Sequence, residues 1–445
     1  MFKDTIFALS TPPGTSGISV VRISGTKAFT IIDCLTKSSI NLKLIKYAQT
    51  VHIYHKDDRV LDKVVVVLYK KPKSYTGLNL VEISCHGNPL IVESIYQALY
   101  SMEARIANPG EFTFLAFKNN KLDLLQAEAV GSLIHSASVR SLELNNQIIN
   151  GRLSKQLNSM RSSLINSASL IEFELDISEM DALNTNTIST ISKSIDRSIK
   201  DCSRLISSYS QNKIFLNGAR VAVVGSPNVG KSTLLNSILN SDRAIVSDIP
   251  GTTRDTIEAT VYINNVMFIF VDTAGMRKSS DLIENIGISK SQIEIDKSDL
   301  VLHLFDSIKD SDFKYISKNK NKISVLNKID LFKKNDYKNI GDFQISAKNN
   351  IAIQNLLQAI YSAIIVKPNP QNSTSLTSLR QLQCIEECSR YLLECQKMVN
   401  KKNTTNLELI AVEIKSAIKS LDSILGNVST ADIINNIFVG FCVGK

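Results

Sequence analysis

The stretch GSPNVGKS at residues 225–232 constrains this chain more than any other, because it matches the phosphate-binding pattern G-x-x-x-x-G-K-[ST]. It follows an apolar run at 220–224 that is typical of a buried strand, and it precedes a segment with helical spacing at 233–239. Its glycines let backbone N–H groups close around a polyphosphate, whose charge Lys231 neutralises, while the Ser232 hydroxyl is placed to bind Mg²⁺. We therefore expect a nucleotide-binding domain at this point of the chain.

The motif NKID at 327–330 predicts that the bound base is guanine. The Asp330 carboxylate can accept two hydrogen bonds from guanine N–H groups, and adenine offers no such pair. Asn327 and Lys328 are expected to brace the base plane, and the backbone of residues 346–348 is expected to contact the guanine oxygen. The predicted nucleotide is therefore GTP.

Two further loops complete the pattern of a GTPase. GTTRD at 251–255 supplies Thr253, which is expected to bind Mg²⁺ when a triphosphate is bound, and DTAG at 272–275 begins with Asp272, which can hold the magnesium shell. The strands and helices around these motifs predict a mostly parallel sheet with helices on both faces. Ser232 and Thr253 are the predicted magnesium ligands. The predicted GTP-binding residues are Asn228, Val229, Gly230, Lys231, Ser232, Thr233, Ser247, Thr252, Thr253, Asp272, Thr273, Ala274, Gly275, Asn327, Lys328, Asp330, Ser346 and Ala347.

Length and composition limit the other possibilities. A chain of 445 residues is too long for one hydrophobic core, which favours about three domains. It contains no apolar run long enough to cross a bilayer, its N-terminus lacks the pattern of a secretion signal, and its seven irregularly spaced cysteines suggest a reducing compartment. We therefore expect a cytoplasmic protein. Cys384, Cys388 and Cys395 follow a helical pattern without a nearby histidine, which favours buried helix-face cysteines over a zinc site.

The formal net charge of +9 is concentrated in residues 1–120, which carry 14 lysines and arginines against 9 aspartates and glutamates. A nucleic-acid partner would explain this excess of positive charge. A lysine-rich amino-acid composition that reflects an AT-rich genome would explain it equally well. Charge alone does not choose between the two explanations.

Changes in periodicity divide the chain into four segments. Residues 1–120 alternate short β-branched runs with turn signals and are typical of an α+β domain, whereas 121–217 predict long amphipathic helices, including a continuous helix over 139–175. The GTPase domain is expected at 218–366, and the helical pattern resumes over 367–445. The predicted fold is therefore multidomain, α/β and α+β, with a doubly wound GTPase domain inserted into a helical domain.

Glycine and proline cluster in turns of the N-terminal segment, at TPPGTSG (11–17), SYTG (74–77), CHGN (85–88) and NPGEFT (108–113). Turns of this composition either only reverse the chain or also form a site. Both interpretations stay open at the level of sequence.

Over its whole length the chain resembles the MnmE family, also called TrmE, of tRNA modification GTPases. The resemblance is carried by TPPGTSGISVVRISG (11–25), SYTGLNLVEISCHG (74–87), RIANPGEFTFLAFKNNKLDLLQAEAV (105–130), the GTPase motifs and the C-terminus STADIINNIFVGFCVGK (429–445). It implies a folate-binding N-terminal domain that dimerises through 1–120, a helical domain and an inserted GTPase domain. It also implies joint work with the FAD protein MnmG, as a heterotetramer. Together the two build a carboxymethylaminomethyl or aminomethyl group on C5 of the wobble uridine of certain tRNAs.

By position in this family, the residues expected to contact a tetrahydrofolate derivative, 5-formyl or 5,10-methylene, are Arg22, Glu82, Lys121 and the terminal Lys445. Arg22 and the lysines suit carboxylate or formyl oxygens, and Glu82 can accept a pterin N–H pair. Without the resemblance, an arginine or a glutamate here would be interpreted as part of a surface ion pair. Cys442 in the tail is either a reactive thiol or a packing residue.

The chain departs from the family's usual motifs TGE, GHGG and RAF-NGK, where it has TGL (76–78), CHGN (85–88) and LAF-NNK (115–121). Leu78 stands where the family has the glutamate of TGE, Asn88 where it has the last glycine of GHGG, and Leu115 where it has the arginine of RAF. All three lie in the folate block, so they bear on folate affinity and leave the GTPase motifs intact.

Hydrolysis requires a group to orient water. Met276 follows DTAG, so the glutamine of signalling GTPases is absent, and Lys231 and Glu284 are the expected catalytic residues. Glu284 lies where the family has its catalytic glutamate, although a solvated acid at a helix start is the simpler interpretation. Asn228 lies where potassium-activated GTPases bind K⁺, although asparagine can also just stabilise a turn. The expected K⁺ ligands are Asn228, Ser247, Ile249 and Thr252, and hydrolysis is expected to need dimerisation of the GTPase domain.

Two alternatives from other classes stand beside this interpretation. A ribosome-assembly GTPase that binds rRNA would have similar motifs, but it would carry an RNA-binding module such as a KH domain, whose GXXG loop is not found in a suitable helical setting. A non-enzymatic folate-binding scaffold would have a degenerate switch, whereas Lys231, Thr253 and Asp272 are intact. The expected partners are tRNA, an MnmG-like FAD protein and a second copy of the chain, with no membrane. A flavin of its own is not expected, since the chain has no G-x-G-x-x-G fingerprint.

Overall fold

The computed structural model describes residues 4–55, 57–136, 138–177, 185–240, 258–272, 293–307, 321–332, 340–365, 374–400, 407–427, 438, 441 and 444. The chain divides into two compact units. The finer division with boundaries at 120, 217 and 366 remains a prediction. The first unit comprises Met1–Ile134, Asn145–Leu205 and Ser378–Lys445, and the second comprises His135–Leu144 and Ile206–Thr377.

The first unit begins with a mixed sheet and three short helices. Its elements are β1 (Ile6–Leu9), β2 (Ser16–Ser24), α1 (Ala28–Leu35), β3 (Ala48–Tyr54), β4 (Val60–Tyr69), β5 (Leu80–Gly87), α2 (Pro89–Tyr100), β6 (Arg105–Ile106) and α3 (Glu111–Lys118). The strand order is β3–β4–β5–β2–β1–β6, and all neighbours are antiparallel except β1 and β6. Alternation along the strands buries one face, for example at Val64, Val66 and Leu68, and α1 and α2 close a core there around Phe7 and Ile83. The α+β prediction is confirmed.

Long helices follow, namely α4 (Leu124–Ile134), α5 (Val139–Ile149), α6 (Arg152–Ile177) and α7 (Thr185–Asn217). The continuous helix predicted over 139–175 is wrong. Gly151 takes a left-handed backbone with φ 75°, which ends α5 at Ile149 and lets α6 start at Arg152. The sequence pattern missed this break because apolar spacing continues across it.

The second unit is built on a second sheet. Its elements are β7 (Ala219–Val224), α8 (Lys231–Leu239), β8 (Glu258–Ile263), β9 (Val266–Asp272), β10 (Leu300–Phe305), β11 (Lys322–Leu326), a 3-10 turn (Ile329–Leu331), β12 (Phe343–Gln344) and α9 (Ile353–Ile364). The strand order is β12–β11–β10–β7–β9–β8, and only β8 is antiparallel to its neighbour among the described strands. Asn264 and Asn265 join β8 to β9 with φ of 50° and 63°, the geometry of a two-residue hairpin. The predicted mostly parallel sheet and hairpin are confirmed.

Two more helices, α10 (Leu379–Asn400) and α11 (Leu407–Leu425), pack against each other, and α11 also packs on α6. An ion pair of 2.6 Å between Arg161 and Asp422 joins α6 to α11. Cys388 and Cys395 are buried on α10, as predicted for helix-face cysteines. Within the described ranges, every helix is too short or too polar to cross a membrane.

Candidate functional site

The phosphate loop joins the end of β7 to the start of α8. Lys231 is 6% exposed, and its ammonium group donates to the carbonyls of Gly225 and Ser226 at 2.8 Å each. Gly230 has a left-handed backbone with φ 98°, and a Cβ there would lie 2.4 Å from Asn327 Nδ2. The base motif therefore lies directly against the phosphate loop, and this close approach leaves room only for glycine at position 230.

Ser232, one of the two predicted magnesium ligands, lies beside Asp272, which is expected to hold the magnesium shell. The Ser232 hydroxyl donates to Asp272 Oδ2 at 3.2 Å, and Asp272 is 1% exposed. The two meet because β7 and β9 are parallel neighbours, with Val223 paired to Asp272, so their carboxyl ends share one sheet edge. A hydroxyl and a carboxylate are donor types that Mg²⁺ prefers, so the pair fits a magnesium site.

The guanine motif forms a connected group of hydrogen bonds. Asn327 Nδ2 donates to the Val229 carbonyl at 2.8 Å, and Asn327 Oδ1 accepts from the Ala347 N–H at 3.0 Å. The Asp330 carboxylate accepts from the Ser346 hydroxyl at 2.5 Å. This bond is the main cause that lowers the pKa of Asp330 below its ordinary value, so an ionised acceptor is held for guanine N–H groups.

Asp306 belongs to this site, and the sequence patterns did not identify it. It directly follows β10, and its Oδ2 lies 2.5 Å from Lys328 Nζ. Both side chains stand at the same edge because β10 and β11 are parallel neighbours, with Phe305 paired to Leu326. An acidic residue at the carboxyl end of the strand beside NKID is the signal that could have revealed it.

The remaining predicted GTP residues are only partly described. Asn228 has a left-handed backbone with φ 63°, which fits a turn-forming asparagine, and Val229 beside it is buried. Ser232 and Thr233 are exposed in the first turn of α8. The predictions for Ser247, Ile249, Thr252, Thr253, Thr273, Ala274, Gly275, Glu284, Cys442 and Lys445 fall outside the described residues.

In the first unit, Arg22 and Glu82 face each other across β2 and β5. Arg22 Nε and Nη2 donate to Glu82 Oε1 at 3.0 and 2.7 Å, and the guanidinium carbon lies 5.7 Å from the centre of the Phe112 ring. The Tyr69 hydroxyl donates to Glu82 Oε2 at 3.3 Å, and burial, followed by the Glu82 charge, raises the pKa of Tyr69. The two predicted folate residues therefore form one charged group, with 19% and 24% of their side chains exposed.

The described residues of the C-terminal tail lie against this pair. The Gly444 carbonyl accepts from Arg22 Nη1 at 3.1 Å and from Ser10 Oγ at 3.2 Å. Phe438 is 5% exposed and packs edge-to-face on Phe114, with ring centres 5.5 Å apart. The tail therefore reaches the predicted folate residues.

Lys121 is exposed and lines a pocket of about 500 Å³, together with Lys118 and Asn427. Arg22 and Glu82 do not line this pocket. Lys121 lies beside the SYTG turn, because a Cβ on Gly77 would be 3.4 Å from Lys121 Cγ, and the Tyr75 ring of that turn lies 5.9 Å from the Arg22 guanidinium carbon.

The three departures from the family motifs have structural roles. Leu78 packs against a small core that contains Phe112, and Leu115 is buried in the same core. Asn88 caps α2 by accepting from the Leu90 N–H at 2.9 Å. Packing and helix capping account for all three residues.

Comparisons with known proteins agree with this architecture. The family model described as GTP-binding protein TrmE N-terminus matches residues 5–121, and the MnmE helical domain model matches 124–442. The tRNA modification GTPase MnmE of Flavobacterium johnsoniae is 40% identical over all of this chain and 99% of its own length. The protein of the same name from Fervidobacterium nodosum is 37% identical over all of this chain and 98% of its own length. A solved structure of Aquifex aeolicus Era bound to GDP and aluminium fluoride is 26% identical over 39% of this chain and 66% of that chain. Its TM-score of 0.27 is too low to carry an argument about the fold. The two family models and the full-length relatives place the chain in the MnmE family of tRNA modification GTPases.

Proposed function

We propose that this chain binds and hydrolyses GTP and that this hydrolysis is required for tRNA modification. The observation that carries the proposal is the convergence of Lys231, Ser232, Asp272, Asn327 and Asp330 at the carboxyl edge of one parallel sheet. Membership of the MnmE family supports tRNA as the molecule that is modified. The full-length relatives are named tRNA modification GTPases, which favours tRNA modification over ribosome assembly.

Phosphate binding rests on Lys231 and the loop around it. Its ammonium group is buried among loop carbonyls, so its charge is held where the β- and γ-phosphates would lie and stabilises charge that develops there. Ser232 and Asp272, with Thr253, hold Mg²⁺, which when bound neutralises charge on the phosphate oxygens.

Guanine selection rests on Asp330. Its carboxylate stays ionised and is oriented by the Ser346 hydroxyl, so both oxygens remain acceptors for the paired N–H groups of guanine. Lys328 covers the base plane, and its ammonium group is fixed by Asp306. Asn327 ties the base site to the phosphate loop, so the two halves of the nucleotide are bound by one connected group.

Hydrolysis is assigned to Glu284, which orients the attacking water, with K⁺ bound by Asn228, Ser247, Ile249 and Thr252. K⁺ supplies the positive charge that an arginine finger provides in other GTPases. Dimerisation of the GTPase domains completes the K⁺ site. Turnover should be fast in K⁺ and slow in Na⁺, and Glu284→Ala should lower kcat by roughly 10²-fold or more while GTP still binds. Equal rates in the two salts would contradict the K⁺ assignment.

The tRNA reaction is assigned to the first unit, acting with an MnmG-like FAD protein on C5 of the wobble uridine. Arg22 and Glu82, with Lys121 and Lys445, hold a tetrahydrofolate derivative, which supplies a one-carbon unit when bound. The pair fits this role because a charged donor group and a charged acceptor group stand side by side with 19% and 24% of their side chains exposed. Two copies of the chain associate through residues 1–120.

A single set of preparations tests the proposal. The purified protein should hydrolyse GTP and not ATP, Lys231→Ala should lose this activity, and a cell lacking the protein should lose the C5 group in nucleoside analysis of its tRNA. Removal of residues 442–445 should abolish the tRNA modification and leave GTP turnover intact, because Gly444 of the tail accepts a hydrogen bond from the folate candidate Arg22. A truncated protein that still modifies tRNA would contradict the role of the tail. Light scattering that shows only monomers in every nucleotide state would contradict the dimer.

A further inference from the structure

A histidine at the end of β5 is held by a buried carboxylate from β4. His86 Nδ1 lies 2.7 Å from Asp62 Oδ1, and Asp62 Oδ2 accepts from the His86 backbone N–H at 2.9 Å. The Asp62 side chain is 7% exposed, whereas the His86 side chain is 71% exposed. One residue therefore anchors both the backbone and the ring of the histidine, and the rest of the ring faces solvent.

The protonation of this ring follows from its partner. Asp62 Oδ1 also accepts from the Lys63 backbone N–H at 2.8 Å, and a carboxylate oxygen acts as a hydrogen-bond acceptor. The hydrogen of the shared bond is therefore carried by Nδ1, and the lone pair of the neutral ring lies on Nε2. Among the described charged side chains, His86 is the one bonded to Asp62. The exposed Nε2 is thus an oriented proton acceptor with a carboxylate behind it.

This imidazole lies where two of the glycine-rich turns meet. β2 and β5 pair Ser16 with Gly87 and Ile18 with His86, so TPPGTSG and CHGN are brought side by side. A Cβ on Gly87 would lie 2.2 Å from Ser16 Oγ, which shows how closely the turns approach. Ile18 is 63% exposed beside the ring, so the meeting point is an open surface and not a packed core.

The same strand carries Glu82. Residues 82 and 86 are four positions apart on β5, so their Cβ atoms leave the strand on the same side, about 13 Å apart. The His86 ring turns at the strand end toward Asp62, which belongs to the buried face of β4, so the exposed surface beside the ring is the one where the two turns meet.

We propose that His86 is the base that accepts a proton from an amine substrate on this surface, with Asp62 as its positioning residue. The inference rests on the proposed tRNA modification. An aminomethyl or carboxymethylaminomethyl group contains a nitrogen that enters as ammonium or as the amino group of glycine. Both are protonated at neutral pH, and the nitrogen has no lone pair for bond formation until a proton leaves. An imidazole is the side chain best suited to accept that proton near neutral pH.

The step is a single proton transfer. The Nε2 lone pair takes a proton from R–NH₃⁺, the N–H bond electrons stay on nitrogen as R–NH₂, and the imidazolium that forms is stabilised by the Asp62 charge. The ring afterwards releases the proton to water through its exposed edge. With a neutral ring the Asp62–His86 pair carries one negative charge, which favours binding of a cationic amine.

A metal-binding role has less support. A histidine backed by a carboxylate is also the usual arrangement of a zinc ligand. Among the described residues, however, no group of three or more His, Cys, Asp or Glu side chains could hold a metal ion.

The test uses His86→Asn, because the Asn side-chain N–H can replace Nδ1–H in the bond to Asp62 while no base remains. The full-length protein is mixed with the MnmG-like FAD protein, unmodified tRNA, GTP, 5,10-methylenetetrahydrofolate and either ammonium chloride or glycine. The initial rate of C5 modification is then measured by nucleoside mass spectrometry. We expect His86→Asn to lower this rate by about 10²-fold or more, with GTP hydrolysis unchanged. His52→Asn, at an exposed histidine on β3 of the same sheet, should behave as wild type.

A second variant separates chemistry from folding. His86→Ala should regain part of the modification rate when imidazole is added, which a purely structural histidine would not do. A wild-type rate for His86→Asn would overturn the proposal, and so would a loss in His86→Ala that imidazole does not restore. Stoichiometric Zn²⁺ binding that His86→Asn abolishes would also overturn it, in favour of a metal site. If the wild-type protein hydrolyses GTP and modifies no tRNA, the proposed function is wrong, and the proposal that His86 is a base is then wrong as well.

Discussion

Replacement of Gly131 by alanine should release the C-terminal tail while it stabilises the helix that carries the replacement. Gly131 lies inside α4, and a Cβ there would lie 2.7, 2.9 and 3.0 Å from three carbons of the Phe441 ring. Carbon atoms pack best at about 3.5–4.0 Å, so the ring must move by about 1 Å. Its neighbours limit that movement, because the Phe438 ring centre is 5.3 Å away and Gly110 lies so near that a Cβ on it would be 3.1 Å from Phe441 Cβ.

The two effects of the substitution have opposite signs. Alanine in place of glycine inside a helix contributes about 1 kcal/mol to the stability of α4, equally in the docked and the released state of the tail. Overpacking of the ring costs about 1–3 kcal/mol and acts only on the docked state. The released population should therefore rise by roughly 5- to 150-fold.

Digestion with a carboxypeptidase, followed by mass spectrometry of the shortened chain, measures the released tail. Cleavage should accelerate by the same roughly 5- to 150-fold, because digestion of a transiently released segment tracks its population. tRNA modification should fall, and GTP hydrolysis should not change. The double variant Gly131→Ala/Phe441→Leu removes the ring that clashes and should recover part of the docking. A tail that is digested at the wild-type rate in Gly131→Ala would refute the packing of Phe441 against α4.

Four further predictions concern the guanine site, its pH dependence, the K⁺ site and two buried thiols. Asp330→Asn should weaken GTP binding by roughly 10- to 150-fold. It should favour xanthosine triphosphate, because the amide N–H can donate to the C2 carbonyl of xanthine. Unchanged GTP affinity in a nucleotide titration would exclude Asp330 from the base site. Because the Ser346 hydroxyl holds the pKa of Asp330 below its ordinary 3.8, GTP affinity should be flat above about pH 4 and should be lost only as the pH falls through that lowered value. Asn228→Ala should make hydrolysis equally slow in K⁺ and Na⁺, and a retained K⁺ preference would exclude it as a ligand. Burial raises the pKa of Cys85 to about 11 and that of Cys395 to about 12, so both thiols should resist iodoacetamide at pH 8 until the protein is unfolded, and rapid alkylation of the native protein would contradict their burial.

Much of the second unit could be predicted because its chemistry is carried by contiguous residues. A phosphate loop needs glycine, lysine and serine at fixed spacing within 225–232, and a guanine site needs its aspartate within 327–330. The hairpin at Asn264 and Asn265 was predictable for the same reason, since two adjacent asparagines readily adopt positive φ. Local backbone geometry sets each of these features, and a local pattern is therefore enough to identify them.

The sequence alone did not determine the fold where an apolar pattern is compatible with more than one backbone conformation. The helical spacing over 139–175 continues through Gly151, but only the folded chain places that glycine in the left-handed conformation that separates α5 from α6. The resemblance named Arg22 and Glu82 one at a time. The register of β2 on β5 decided that they form one ion pair, and a shift by one residue would turn their side chains to opposite faces.

Tertiary structure alone decided three contacts on which the predictions depend: Asp306 beside Lys328, Asp62 beside His86, and the Phe441 ring against Gly131. The partners in each contact belong to different strands, or to a helix and the far end of the chain. No spacing rule links such residues, because their approach is set by strand order, register and helix packing and not by their separation in the sequence. The residues proposed to bind GTP could therefore be named from the sequence, whereas the residues that position them, and the base proposed for the amine, could be named only once the chain was folded.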